Sequence, residues 1–329
     1  RGGVKHVANA ISHAGNLHQV DHPLSVGGLH QVRALRASVA EVASEETIGA
    51  ASVLLECRHW YISPFLRALQ TAAYALSPLY KRNPSLKMRV TPEANEIVSS
   101  RVSLDCEGKP GNVGARVIAR ALGKTVETFD EVDDDPQDHK LNSERQAEIA
   151  DVSATFCAMD ISELGRPWWT DVKAFRRENL HLEDTRVHRL IALLLQDPDP
   201  CVGIVAHSLL FQRMVNLLWP RDPQTQAEVR AGMCNGAPPE SVDPLKDKIA
   251  NCGTLVLTVR HLAGSSAETA GAQTAEIVRA EFLFEGSMEG ARPMDKQGND
   301  VPDAQVLEMA ESVMEFDDDT GLSDLPSKK

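Results

Sequence analysis

The residue best placed for chemistry in this sequence is His207, which lies between two kinds of apolar pattern. The preceding run, residues 201–205, is typical of a short buried strand. After it, Ser208 takes an N-cap position, and Leu210 and Met214 recur at helical spacing. Where a strand ends and a helix begins, free N–H groups and the helix dipole favour an anion. We therefore predict an anion-binding role for His207, the alternative being a histidine that only packs at a strand–helix turn.

A second predicted strand–helix junction contains a positively charged residue, Arg67. Residues 53–62 have the β-branched and aromatic content of a strand. Ser63 and Pro64 then predict the start of a helix, with Ser63 as the N-cap and Pro64 as its first residue. This helix is expected to continue to about Leu76. Arg67 therefore lies in its first turn, with its guanidinium directed to the strand ends.

The remaining elements complete an α/β pattern. Apolar spacing predicts helices over residues 26–43 and 170–196, a strand at residues 87–90, and a late strand pair at residues 254–259 and 277–284. We predict a three-layer sandwich, with a mostly parallel central sheet and helices on both of its faces.

Two further boundaries follow from composition. Residues 93–170 read as an insertion over the sheet, closed onto the core by Trp168 and Trp169. Residues 1–292 are predicted to form one α/β domain, and residues 293–329 an acidic, disordered tail.

The net charge of −13 limits the partners. The acidic runs at residues 127–138 and 303–324 are expected to be solvated. Without a basic stripe, nucleic-acid binding is not expected, although a few focused arginines still suit a small anionic ligand. The six cysteines form no C-x-x-C pair and indicate reduced, intracellular thiols. No membrane span or signal peptide is predicted, so we expect a cytoplasmic protein.

Several motifs occur in a recognisable order. The sequence DHPLSVGGLHQ at residues 21–31 resembles the D-x-P-L-T-x-x-G-x-x-Q signature of the histidine phosphatase (phosphoglycerate-mutase-like) superfamily. SPFLRALQT at 63–71 resembles its S-P-L-x-R-A-x-Q-T motif. ANE at 94–96 with DCEG at 105–108 is similar to a run in its plant, fungal and protist branch, and VAHS at 205–208 to its second-histidine segment.

This resemblance implies a mechanism and a set of roles. In the family, a neutral imidazole attacks phosphorus, two arginines and a second histidine stabilise the charge, and a carboxylic acid protonates the leaving oxygen. It implies phosphate binding by Arg67 and Arg1, the second-histidine role for His207, and proton donation by Glu96, with Glu93 as the alternative. No metal or cofactor is implied.

The chain departs from the family at the nucleophile. If Arg1 is the family's arginine, Gly2 occupies the place of the nucleophilic histidine; if His6 is the later histidine of the motif, Arg1 itself occupies it. The strand that precedes the nucleophile in the family is also missing. Either the sequence is incomplete at its amino end, or another segment takes the place of that strand.

We therefore predict a phosphatase-like protein that acts on or binds a small phosphorylated metabolite. The alternative is a catalytically inactive relative that binds phosphorylated ligands, or a protein partner, through the retained anion pocket. A third interpretation, an unrelated α/β protein with coincidental matches, predicts that Arg67 and His207 lie far apart.

Overall fold

Among the residues that the structure describes, four parallel strands form the central sheet and bring distant parts of the sequence side by side. In the computed structural model, strand β1 (His59–Ile62) lies between β2 (Lys87–Val90) and β4 (Val202–Val205), and β3 (Met159–Asp160) pairs with β2. All of these pairings are parallel, so the carboxyl ends of β1 and β4 meet at the same edge. That edge is where an open α/β sheet places its ligands.

The structure describes residues 21–44, 50–97, 112–132, 139–168, 181–235, 238, 242–262, 275–284 and 288–289, all within the compact unit Arg1–Glu289. Arg1, Gly2, Trp169 and the predicted acidic tail lie outside these residues.

Helices that share one hydrophobic cluster with β1 and β2 cover one face of the sheet. They are α1 (Val26–Ser44), α2 (Val53–Glu56), α3 (Leu66–Arg82), α4 (Ala115–Val132) and α5 (His139–Cys157). Helix α3 is their centre, because most of its side chains from Leu66 to Leu79 are buried. The apolar spacing predicted for α1 is also confirmed, since Leu29, Val32, Val39 and Val42 are its buried residues.

A second hydrophobic cluster joins the remaining helices to a β-hairpin. Its elements are α6 (His181–Leu195), α7 (Ser208–Leu218), α8 (Pro223–Cys234) and the antiparallel strands β6 (Thr254–His261) and β7 (Ala275–Leu283). A short antiparallel pair consists of β5 (Lys248–Ile249) and β8 (Met288–Glu289). Ile204 of β4 packs on this cluster while its neighbour Val205 packs on the first, as alternating strand residues do. The predicted α/β three-layer fold is confirmed.

Three local predictions were wrong in their boundaries. Residues 53–56 form helix α2, and only the last four residues of the predicted strand at 53–62 are extended. Helix α3 begins at Leu66 with Phe65 as its N-cap, because Ser63 still belongs to the strand ladder: its N–H donates to the Val205 carbonyl (3.0 Å). Likewise, His207 rather than Ser208 is the N-cap of α7.

The predicted insertion is more regular than its sequence indicates. Helices α4 and α5 pack beside α3, and Met159–Asp160 adds a strand to the central sheet. Among the described residues, no helix has the length and apolar composition needed to cross a membrane.

The strand that leads to His207 is packed tightly against β1. A Cβ atom built on Gly203 would lie 2.2 Å from Cε3 of the Trp60 indole, which is far inside van der Waals contact. Trp60 is 7 % exposed, and its indole N–H donates to the Cys57 carbonyl (3.3 Å). The indole therefore has little room to move aside.

We expect Gly203→Ala to lower the free energy of unfolding by about 1–3 kcal/mol, because the added methyl group overpacks the contact with Trp60. Urea unfolding at neutral pH measures this change. Gly123→Ala is the matched control: Gly123 lies on α4 with nothing within 4 Å of the added Cβ, so that change should stabilise the protein by about 0.5–1 kcal/mol. Equal effects of the two substitutions would contradict this account of Gly203.

Candidate functional site

The site is built where β1 and β4 end side by side. Ser63 follows β1 and His207 follows β4 after Ala206, and the Ser63 Oγ lies 2.8 Å from the His207 Nε2 in a buried hydrogen bond. Ser63 is 0 % exposed and His207 is 5 % exposed. The two strand–helix turns are therefore joined by both a backbone and a side-chain hydrogen bond.

Phe65 lies against both predicted site residues, the guanidinium of Arg67 and the imidazole of His207. Its buried ring contacts the His207 ring edge-to-face, with centroids 5.5 Å apart and an interplanar angle of 79°. The Arg67 guanidinium carbon lies 5.2 Å from the centroid of the same ring. Trp168 packs on it as well, at 5.2 Å. Arg67 is half-buried, so it links the buried imidazole to the solvent-facing rim of the site.

Glu96, the predicted proton donor, points at the imidazole. Its Oε2 lies 3.7 Å from the His207 Nδ1, while its Oε1 accepts a hydrogen bond from the Ile97 N–H (2.9 Å). The alternative, Glu93, forms a two-point ion pair with Arg189 at 2.9 and 3.2 Å. The structure therefore brings Glu96, rather than Glu93, to His207.

A residue that the sequence did not single out holds this glutamate segment in place. Arg186, from α6 and 9 % exposed, donates to the carbonyls of Glu93 and Asn95 at 2.8 Å and to that of Glu96 at 3.1 Å. A planar guanidinium matches several acceptors at once, which a lysine cannot do. No motif marked Arg186, because its partners are backbone carbonyls, which carry no sequence signal.

Asp21 is the second residue whose role the motifs did not reveal. Its fully buried carboxylate accepts hydrogen bonds from the Leu66 N–H (2.8 Å), the Asn112 amide (3.1 Å) and Arg120 (2.9 Å). Burial raises the pKa of Asp21, although the Leu66 N–H and Arg120 both favour the carboxylate. Asp21 thus fixes the loop that carries His22 to the amino end of α3.

The surroundings of His207 keep its imidazole neutral. Burial lowers the pKa of His207 well below its usual value, and the positive charges of Arg67 and Arg186 lower it further, with a contribution from His22. A neutral ring has one N–H and one lone pair. At neutral pH it can therefore donate one hydrogen bond and accept another without carrying a charge.

The order Ser63, Glu96, His207 also matches the connectivity of a catalytic serine triad, but two observations oppose that function. The Ser63 side chain is completely buried, and its Oγ is bonded to the His207 Nε2 rather than directed to solvent. The residue after a nucleophilic serine normally gives an N–H to the oxyanion, and here it is Pro64, which has none. We therefore assign Ser63 to positioning His207.

Another polar cluster lies at the opposite ends of the same strands. The His59 Nδ1 faces the Asp197 carboxylate (2.8 Å) and its Nε2 faces Asp199 (3.3 Å), while the Tyr61 hydroxyl donates to Asp197 (2.6 Å). Both ring nitrogens already contact carboxylates, so we assign this cluster to holding the turn before β4.

A cavity of about 430 Å³ between α2 and the β6–β7 hairpin has no lining residue in common with the site around His207.

Comparison with known protein families, with curated proteins and with solved structures finds no match.

The neutral state of His207 predicts a specific pH dependence of stability. Below about pH 6.5 the unfolded chain protonates this imidazole and the folded chain does not, so stability is present at higher pH and is lost as the pH falls. We expect the free energy of unfolding to fall by up to about 1.4 kcal/mol per pH unit from this group, and His207→Gln to remove that part of the slope.

Urea unfolding at pH 5, 6, 7 and 8 measures this slope. His30→Gln, at an exposed histidine on α1, is the matched control and should keep it. If His207→Gln and the parent protein show the same slope, His207 is not held neutral by the fold.

Proposed function

We propose that this protein is a phosphatase-like protein of the histidine phosphatase type, with a pocket that acts on or binds a small phosphorylated metabolite. The observation that carries this proposal is the convergence of Arg67 and His207 on the Phe65 ring at the carboxyl ends of β1 and β4. A guanidinium fork and an imidazole nitrogen are suited to the oxygens of a phosphoryl group.

Helix geometry supports an anion at this place. Helices α3 and α7 both begin at the site, and neither N-cap side chain, Phe65 or His207, accepts a hydrogen bond from its own helix. The positive ends of both helix dipoles therefore face this edge of the sheet. Asp21 already accepts the Leu66 N–H at the start of α3, so the amino end of α7 and the half-buried Arg67 are the groups left to face a ligand.

Glu96 supplies the proton chemistry that a phosphatase needs. In the proposed reaction it protonates the leaving oxygen, and its Oε2 lies 3.7 Å from the Nδ1 of His207, the residue proposed to face the phosphoryl group. Its side chain is 12 % exposed, which leaves an edge open toward a ligand at the rim. Arg186 holds the backbone on which this carboxylate depends.

The alternative function is phosphate-ester binding without turnover. It is favoured by the sequence at the nucleophile position, where Gly2 or Arg1 stands instead of histidine. Both versions share Arg67 and His207 as the pocket, so ligand binding tests the pocket and hydrolysis separates the two versions.

We further propose a cytoplasmic location, supported by the free thiols of Cys57, Cys157, Cys201, Cys234 and Cys252.

Replacing Arg67 by methionine is expected to weaken the binding of inorganic phosphate and of p-nitrophenyl phosphate by roughly 10- to 100-fold, because a charge-assisted hydrogen-bond pair is lost. Isothermal titration calorimetry measures both constants. Arg82→Met removes the same charge from the exposed last turn of α3 and should leave them unchanged. Equal constants for the two variants would refute the pocket.

Hydrolysis of p-nitrophenyl phosphate is expected to be negligible in the chain as it stands, because no imidazole occupies the nucleophile position. A spectrophotometric assay of the parent chain and of Gly2→His separates the two versions. Robust hydrolysis by the parent chain would refute binding without turnover. Activity gained only in Gly2→His would show that the rest of the pocket is competent.

A further inference from the structure

Two cysteines lie together at the amino ends of β1 and β4, at the opposite edge of the sheet from His207. Cys57 is the C-cap of α2 and is separated from β1 by one residue, Arg58, whereas Cys201 directly precedes β4. The strand register pairs His59 with Val202, so the two cysteines approach the sheet side by side. Neither belongs to the proposed phosphate site.

The carbonyl oxygen of Val53 contacts both cysteines. The Cys57 N–H donates to the Val53 carbonyl oxygen at 3.1 Å, and the Cys201 thiol approaches the same oxygen at 3.6 Å. The Cys201 sulfur therefore lies beside the backbone carbonyl to which the Cys57 N–H is bonded. The two cysteines are thus held side by side by the backbone of α2, β1 and β4.

The two thiols differ in access and in acidity. Cys57 is 6 % exposed, whereas Cys201 is half-buried. Interaction with the Cys57 side chain lowers the pKa of Cys201, and interaction with Cys201 together with burial raises the pKa of Cys57. The nearby carboxylates of Glu56 and Asp199 oppose ionisation of both. Cys201 is therefore the more reactive sulfur, and Cys57 is the partner poised behind it.

We propose that Cys57 and Cys201 are a covalent modification site, where a hydroperoxide converts the two thiols into a reversible disulfide. The Cys201 thiolate attacks the peroxide, forming an S–O bond, breaking the O–O bond and releasing hydroxide. Cys57 then attacks the Cys201 sulfur, forming the S–S bond and displacing the second oxygen. With two protons from the thiols, each hydrogen peroxide leaves as two molecules of water.

The disulfide would join the amino ends of two strands whose carboxyl ends are already joined by Ser63 and His207. A cross-link between positions far apart in sequence restricts the unfolded chain, so the oxidised protein should be the more stable form. Reduction by a dithiol reverses the modification.

The test is peptide mapping of the folded, full-length protein after titration with hydrogen peroxide. We expect a linked peptide pair containing Cys57 and Cys201, lighter by two hydrogens and lost on addition of dithiothreitol. The melting temperature of the oxidised protein should rise, and this shift should disappear on reduction. Cys157, which is exposed on α5, provides the matched control, since Cys157→Ser should leave the linked pair intact.

Two further variants separate the roles of the sulfurs. In Cys57→Ser, the Cys201 sulfenic acid should persist and be trapped by dimedone. In Cys201→Ser, both the linked pair and trapping at Cys57 should be lost. The proposal is overturned if Cys57 and Cys201 remain free in the parent protein at peroxide concentrations that oxidise Cys157. It is also overturned if dimedone labels Cys57 in Cys201→Ser as strongly as it labels Cys201 in Cys57→Ser.

Discussion

The parallel pairing of β1 with β4 is the constraint on which the rest of the structure depends. It aligns the strands from His59–Val202 to Ile62–Val205, and the Ser63 N–H continues the ladder to Val205. Without this register, Ser63 could not reach the imidazole of His207, and Phe65 would not lie between His207 and Arg67. The requirement for close packing at Gly203 follows from the same pairing.

Much of this arrangement could be predicted from the sequence, because two apolar runs each end at a residue type that suits a strand–helix turn. The spacing in α1 and α7 gave the correct elements, and the S-P-x-x-R motif placed Arg67 in the first turn of α3. The failures have physical causes. Val53 and its neighbours have strand propensity, but tertiary packing makes them helical. Met159–Asp160 is too short a strand to leave a periodic signal.

The residues that hold the site in place were harder to predict than Arg67, Glu96 and His207. Arg186 acts through backbone carbonyls, and Asp21 acts through a backbone N–H, an amide and an arginine from three separate segments. Such partners lie far apart in sequence and are defined only once the chain has folded. Glu96 could be named from its motif, but its preference over Glu93 depends on the ion pair that Glu93 forms with Arg189.

The hydrogen bond between Ser63 and His207 spans 144 positions of the chain. Such a long-range contact forms only after the entropic cost of closing the intervening loop has been met. Because the chain is synthesised from its amino end, Arg67 and Glu96 leave the ribosome long before His207 has been made. The first half of the nascent chain also lacks β4, which leaves one edge of β1 open to pairing with any extended peptide nearby. The contact between Ser63 and His207 thus forms late, when the second half of the polypeptide docks.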